Sequence, residues 1–183
     1  MSILLKKLLI ISLTYLILKT MKTKTIILGC GYSLGVPNLN GAWGKCDKKN
    51  KKNFRTRCSA IITKGNNSIL IDTSPDIRKQ FIDNKINDIS FVIYTHEHAD
   101  QTNGLFELRP IYFKKKEKIN IYGNSKTINY LKNKFDYCFK HNGFYAPIVK
   151  ANYIKKNFSL GKSRNKIKFK TIQVKHGHTK STI

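Results

Sequence analysis

The chain reads as a layered α/β domain, and three observations carry that reading. Short β-branched runs alternate with helical stretches whose apolar residues fall on one side, as expected when helices pack on a sheet. A hairpin signal, Lys64-Gly65-Asn66-Asn67, separates two such runs. One further run, Ile89-Ser90-Phe91-Val92-Ile93-Tyr94, is nearly continuous in apolar character, which suits a strand covered on both faces.

Taken in order, Thr25 to Leu28 is a first strand that runs into Gly29-Cys30-Gly31, where glycines permit a turn forbidden to bulkier residues. Residues 38 to 57 are polar, basic and glycine-rich, a long loop of the kind that carries function in compact domains. Cys58 to Thr63 and Ser68 to Thr73 form an antiparallel pair. Ser74-Pro75-Asp76 then starts a helix, with Ser74 as N-cap, Pro75 at its first position, Ile77, Phe81 and Ile82 on one face, and an end near Asn84. After the buried strand come a strand over Lys118 to Tyr122, a helix over Ser125 to Phe135 with Ile128 and Leu131 inward, and a late strand over Lys166 to Val174.

With 183 residues, 40% of them hydrophobic, the chain can bury one core, and a disordered class is excluded. Its 35 basic residues against 10 acidic ones give +25, a charge that ordinarily points to nucleic acid, anionic membrane or phosphorylated substrate. The excess is largely lysine, scattered beside many Asn and Ile, so coding bias competes with a dedicated nucleic-acid face. Acidic residues stop at Asp136, so any carboxylate needed later is absent. The four cysteines, Cys30, Cys46, Cys58 and Cys138, lack a C-x-x-C pair. That spacing excludes a zinc knuckle and a dense disulfide framework, and it fits a reducing compartment with Cys30 and Cys58 as buried structural thiols.

Residues 1 to 20 stand apart. Lys6 and Lys7 precede an apolar run from Leu8 to Leu18, too short for a comfortable bilayer span and without a small-x-small cleavage site after it. Met21 then opens a second natural start. A mis-assigned start, a membrane anchor and a cleaved signal remain open; the expectation is a cytoplasmic protein, membrane-anchored only if the extension is genuine.

The chemistry concentrates in Thr95-His96-Glu97-His98-Ala99-Asp100-Gln101, directly beyond the buried strand's carboxyl end, the edge where open α/β sheets bind ligands. In an extended backbone, residues i and i+2 project to one side, so His96 and His98 can converge on one ion, and Asp100 can reach the same place. A lone histidine in a polar loop would be read as a surface residue. Here four of the five histidines fall in two clusters, His96 with His98 and His176 with His178, each after a β-rich run, which favours a metal.

The motif Thr-His-Glu-His-Ala-Asp resembles the His-x-His-x-Asp-His signature of the metallo-β-lactamase superfamily, and the likeness extends from about Ile26 to Thr182. It runs through Gly29-Cys30-Gly31, Arg55-Thr56-Arg57-Cys58-Ser59, Ile71-Asp72-Thr73-Ser74-Pro75-Asp76 and Leu108-Arg109-Pro110. Within the superfamily the sequence looks most like the phosphoribosyl cyclic phosphodiesterase branch, related to the tRNA 3′-processing endonucleases. The fold implied is the four-layer αββα sandwich, with the N-terminal part present here.

The resemblance implies His96, His98 and His176 as ligands of a first metal and Asp100 as ligand of a second and catalytic carboxylate. Asp72 would orient the histidine loop from behind the ligands, and Ser33, Arg57 and Arg109 would face a substrate phosphate, with a surface role open for each. Gln101 stands where the signature has a histidine. An amide oxygen is a poorer zinc ligand than imidazole, so the second site should be weak or suit a harder ion; Zn²⁺ or Mn²⁺ is expected, as one or two ions. The family's bridging aspartate and last histidine have no counterpart before Ile183, and the reading is of a C-terminally incomplete domain over 21 to 183.

The implied activity is metal-dependent hydrolysis of a cyclic or small phosphodiester, with RNA open as a substrate and a homodimer as an assembly. The alternatives are an RNA-processing nuclease of the same fold, a non-catalytic basic protein binding nucleic acid through the lysines of 45 to 57 and 114 to 118, and an inert fragment. Trp43 and Phe54 are the only aromatics of the first loop, which supports a base-stacking platform poorly.

Overall fold

The computed structural model describes residues 22–141, 143–161, 163–177 and 179–182, so the expectations for residues 1 to 20 and for His178 lie outside the described residues. Six strands form one mixed sheet in sequential order: β1 (Lys24–Gly29), β2 (Ser59–Lys64), β3 (Asn67–Ile71), β4 (Phe91–Ile93), β5 (Ile119–Gly123) and β6 (Val149–Tyr153). The first three pair antiparallel; β3 through β6 pair parallel. The β2–β3 turn closes at Lys64 opposite Asn67, with Gly65 at φ 56°, a conformation that favours glycine.

Parallel neighbours need crossovers, and helices supply them. These are α1 (Ile77–Asp83), the short α2 (Ala99–Thr102), α3 (Arg109–Lys115) after a 3₁₀ turn over Leu105–Leu108, α4 (Ser125–Lys134) and α5 (Asp136–Phe139). Their apolar sides, including Ile77, Leu105, Ile111, Ile128 and Leu131, meet Leu70, Val92 and Ile121 of the sheet in one core. Two hairpins complete the described chain: β7 (Asn157–Leu160) with β8 (Ile167–Lys170), and β9 (Gln173–His176) with β10 (Thr179–Thr182). The first covers the sheet's other face, where Leu160, Phe158 and Phe169 join Ile69, Ile93 and Tyr122 in a second cluster. Helices, sheet and hairpin are thus stacked layers, each face of the central strands buried as their unbroken apolar sequence requires.

Several expectations need correction. Helix α1 begins at Ile77 with Asp76 as N-cap, while Ser74 lies ahead of it and its Oγ accepts from the Asp76 amide at 3.1 Å. The side-chain turn consumes the capping oxygen two residues early. Ile82 is 62% exposed, and the inward position next to Ile77 belongs to Gln80, whose Nε2 donates to the Arg57 carbonyl at 2.8 Å. The late strand is two strands, broken at Thr171, whose amide donates to the Lys156 carbonyl. Cys30 and Cys58 are exposed, because both lie where the β1–β2 edge opens into loops; only Cys138 is buried. Among the described residues, no helix is long and apolar enough to cross a membrane.

Candidate metal centre

The site forms at the carboxyl ends of β3, β4 and β5. Strand β4 ends at Ile93; Tyr94 continues into the histidine loop, its amide donating to the Tyr122 carbonyl and its buried hydroxyl meeting Thr73 Oγ1 at 2.8 Å. Burial pushes the Tyr94 phenol far above its usual range, so it stays protonated as a hydrogen-bonding strut. His96 and His98 follow in extended backbone, and His98 is the N-cap of α2. His176 comes from the end of β9, and β10 folds that hairpin back so that the Thr182 amide donates to the Thr95 carbonyl at 2.9 Å.

The three imidazoles converge. Ring centroids are 4.5 Å apart for His96 and His98, 4.9 Å for His96 and His176, and 5.3 Å for His98 and His176. One ligand nitrogen from each lies within 4.8 Å of the others. Nε2 of His96 is buried without a hydrogen-bond partner, a costly condition unless a cation fills it. Burial foremost, then the neighbouring His98 and His176, holds His96 below the usual imidazole range, which keeps it in the neutral form that binds metal. This donor set fits a divalent ion.

Behind the histidines stands a relay that sequence reading found only in part. Asp72, buried and at φ 59°, accepts the Thr95 amide on Oδ1 at 2.8 Å and the Thr95 hydroxyl on Oδ2 at 2.7 Å. Since that hydroxyl gives its proton to the carboxylate, it accepts from Nδ1 of His96, 2.9 Å away, and Nε2 is left with its lone pair toward the centre. Ser181 Oγ lies 3.4 Å from the same Nδ1. Thr95 and Ser181 carry no signal of their own in the sequence. Burial pushes the Asp72 carboxyl up to about 7, against the two Thr95 hydrogen bonds that lower it.

The other expected residues fall in different places. Asp100, in the first turn of α2, is outside the three-histidine group; its Oδ2 accepts from Gln101 Nε2 at 2.8 Å. Gln101 is buried and its backbone carbonyl accepts the Thr73 amide at 2.8 Å, which anchors the residue whose Nε2 holds Asp100. Arg57 is held by Asp76, donating from Nε at 2.9 Å and Nη2 at 2.6 Å, while its amide donates to the same carboxylate at 2.8 Å. Arg109 lies over the rings of Tyr145, Phe113 and Phe106, with Cζ at 4.9, 5.0 and 5.5 Å from their centroids. Ser33 is exposed in a turn whose Gly35 amide donates to the Tyr32 carbonyl. Glu97, between His96 and His98, pairs with Lys126 of α4 at 2.5 Å.

Fold and site together define a layered α/β domain whose three-histidine centre suits a divalent ion. The chain belongs to the metallo-β-lactamase superfamily: the family described as beta-lactamase superfamily domain matches residues 67–182. It is 29% identical to a diphosphatase of the PhnP family of known structure, with a TM-score of 0.74 over 87% of this chain and 60% of that one. Zinc-bound PqqB from Methylobacterium extorquens shares the fold at 22% identity and a TM-score of 0.60, over 76% and 48% of the two chains. An octanoyltransferase of Porphyromonas gingivalis is 33% identical over 134 residues, 72% of this chain and 27% of that protein, so most of that polypeptide lies outside the match. The chain thus spans less than two thirds of each of these relatives.

Proposed function

We propose that the chain is a metal-dependent phosphoesterase acting on a cyclic or small phosphodiester. The observation that carries this reading is the triangle of His96, His98 and His176 around a buried, unpartnered Nε2. The 29% identity to a PhnP-family diphosphatase supports phosphorus as the electrophile.

The three histidines would hold a divalent ion, Zn²⁺ or Mn²⁺, which when bound supplies a water acidified toward neutrality and a Lewis acid for a phosphoryl oxygen. The chain's own residues do the rest. Thr95 and Asp72 fix the His96 tautomer, so that Nδ1 keeps the proton. Gln101 holds Asp100 by Oδ2, and Asp100 would act as the general base through its other oxygen. Arg57 stays with Asp76 and stiffens the junction of β2 with α1.

The test is metal content by plasma mass spectrometry together with hydrolysis of bis(p-nitrophenyl) phosphate, for the wild type and for His96→Ala/His98→Ala. Near-stoichiometric metal and chelator-sensitive turnover in the wild type, both lost in the double variant, are expected. A folded wild type that binds no metal and turns over nothing would sink the proposal.

A further inference from the structure

Beside the metal centre lies a second feature that the three histidines do not use. A cleft of about 450 Å³ opens where the C-terminal end of β6 meets the β8–β9 connection, lined among others by Asn124, Lys155, Lys156, Lys170, Gln173 and Thr182. No carboxylate lines it, and none is available nearby in sequence, since Asp and Glu stop at Asp136. Among the described residues, the ion pairs leave out Lys155, Lys156 and Lys170. Three lysines on one concave surface repel one another and together make a positive potential that a bound anion relieves.

The cleft is built rather than incidental. Its wall at Lys155 and Lys156 is stapled to Thr171, whose amide donates to the Lys156 carbonyl at 2.8 Å and whose hydroxyl lies 3.4 Å from the Lys155 carbonyl. Asn124 caps α4 through its Oδ1 and, through Nδ2, donates to Thr182 Oγ1 at 3.1 Å. Thr182 is shared: it lines the cleft, pairs with Gln173 across β9 and β10, and ties its amide to Thr95, the residue before His96. The adjacent Ser181 faces His96 Nδ1. Cleft and metal centre therefore share one wall.

From this juxtaposition we infer that the cleft of Lys155, Lys156 and Lys170, across Thr182 from the histidine triangle, binds a further phosphate of a substrate the size of a nucleoside diphosphate. The word substrate rests on the phosphoesterase reading; the binding of phosphate does not. The volume falls within the range of about 300–1,000 Å³ usual for small-ligand sites. Ammonium groups act on phosphate as point charges, and the Asn124, Gln173 and Thr182 side chains offer neutral donors beside them.

ADP serves as the probe, measured by equilibrium dialysis against the metal-loaded chain. Four proteins are compared: wild type, the cleft variant Lys155→Gln/Lys156→Gln/Lys170→Gln, a charge control Lys140→Gln/Lys150→Gln/Lys168→Gln, and His96→Ala/His98→Ala. The expected result is a loss of about tenfold or more in affinity for the cleft variant with none for the charge control. Coincident thermal transitions of the two lysine variants establish that both are folded. Equal weakening in the charge control would show a diffuse field and overturn the inference, as would wild-type affinity in the cleft variant. Loss of ADP binding in the histidine variant with none in the cleft variant would place the phosphate at the metal and overturn it too. A wild type inert toward bis(p-nitrophenyl) phosphate whose ADP binding still needs the three cleft lysines would defeat the hydrolase reading and uphold the cleft.

Discussion

Thr95 binds both oxygens of Asp72, one through its amide and one through its hydroxyl, and passes the constraint to His96 through the same hydroxyl oxygen. The carboxylate therefore sets the orientation of a histidine it does not touch. Thr95→Val keeps the shape and removes the hydroxyl, so Nδ1 of His96 loses its acceptor. Metal affinity should fall by about 10–100-fold, while Thr95→Ser restores most of it. Competition with a chelator of known affinity measures both, and equal affinity for Val and Ser would exclude the relay.

The Asp72 carboxyl also carries a pH signature in the metal-stripped protein. Its folded pKa, raised by burial to about 7, lies above its unfolded value, so its contribution to stability is fully present below the unfolded value near pH 4 and is lost as pH rises through 7. Urea midpoints of the stripped wild type should decline between pH 4 and 8. Against that background, Asp72→Asn should show a flatter profile.

The pair of Arg57 and Asp76 behaves in the opposite sense. The Arg57 guanidinium, by hydrogen bond first, holds the Asp76 carboxyl below its usual range against partial burial. The pair's stabilisation is present above the unfolded Asp value and disappears as pH falls through the lower folded one, so its loss is confined to strongly acid conditions. At pH 7, Asp76→Asn should cost about 1–3 kcal/mol in denaturant unfolding, since a bidentate, charge-assisted contact and an amide acceptor are weakened together.

Thiol chemistry checks the corrected placement of the cysteines. Cys30, Cys46 and Cys58 are exposed and should react with an aromatic disulfide reagent in the folded protein, Cys58 slowest, because partial burial raises its thiol and its Sγ donates to the Gly31 carbonyl at 3.3 Å. Cys138, buried and pushed up to about 12, should react only after denaturation. Four fast thiols would contradict the packing of α5.

What the sequence made legible follows from range. His96 and His98 could be read because i, i+2 spacing after an unbroken apolar strand is a local signal, and His176 because it repeats that context. Thr95 and Ser181 could not be: their hydroxyls acquire a role only when Asp72, 23 residues before Thr95, and Ser181, 85 residues beyond His96, are brought together at the histidine loop. Pro75 marks helix α1 in the sequence, but the helix starts two residues later than Ser74 as N-cap implies, since Ser74 Oγ is taken by a turn ahead of it. Phe158 and Leu160 do alternate with polar neighbours, yet a four-residue strand is too short to stand out, and the sequence of its partner runs on across Thr171 into β9 without a break signal.

His176 reaches the triangle from 80 residues beyond His96, counting from 96 to 176. An ion bridging them therefore acts on the chain as a cross-link does, closing a loop that takes in α2 to α5 and the β7–β8 hairpin. Closing so long a loop removes entropy mainly from the unfolded ensemble, by an amount that grows only as about 1.5 RT times the logarithm of loop length. A bound ion and the β9–β10 hairpin would in this way fasten each other, and susceptibility of β9–β10 to protease would gauge ion occupancy.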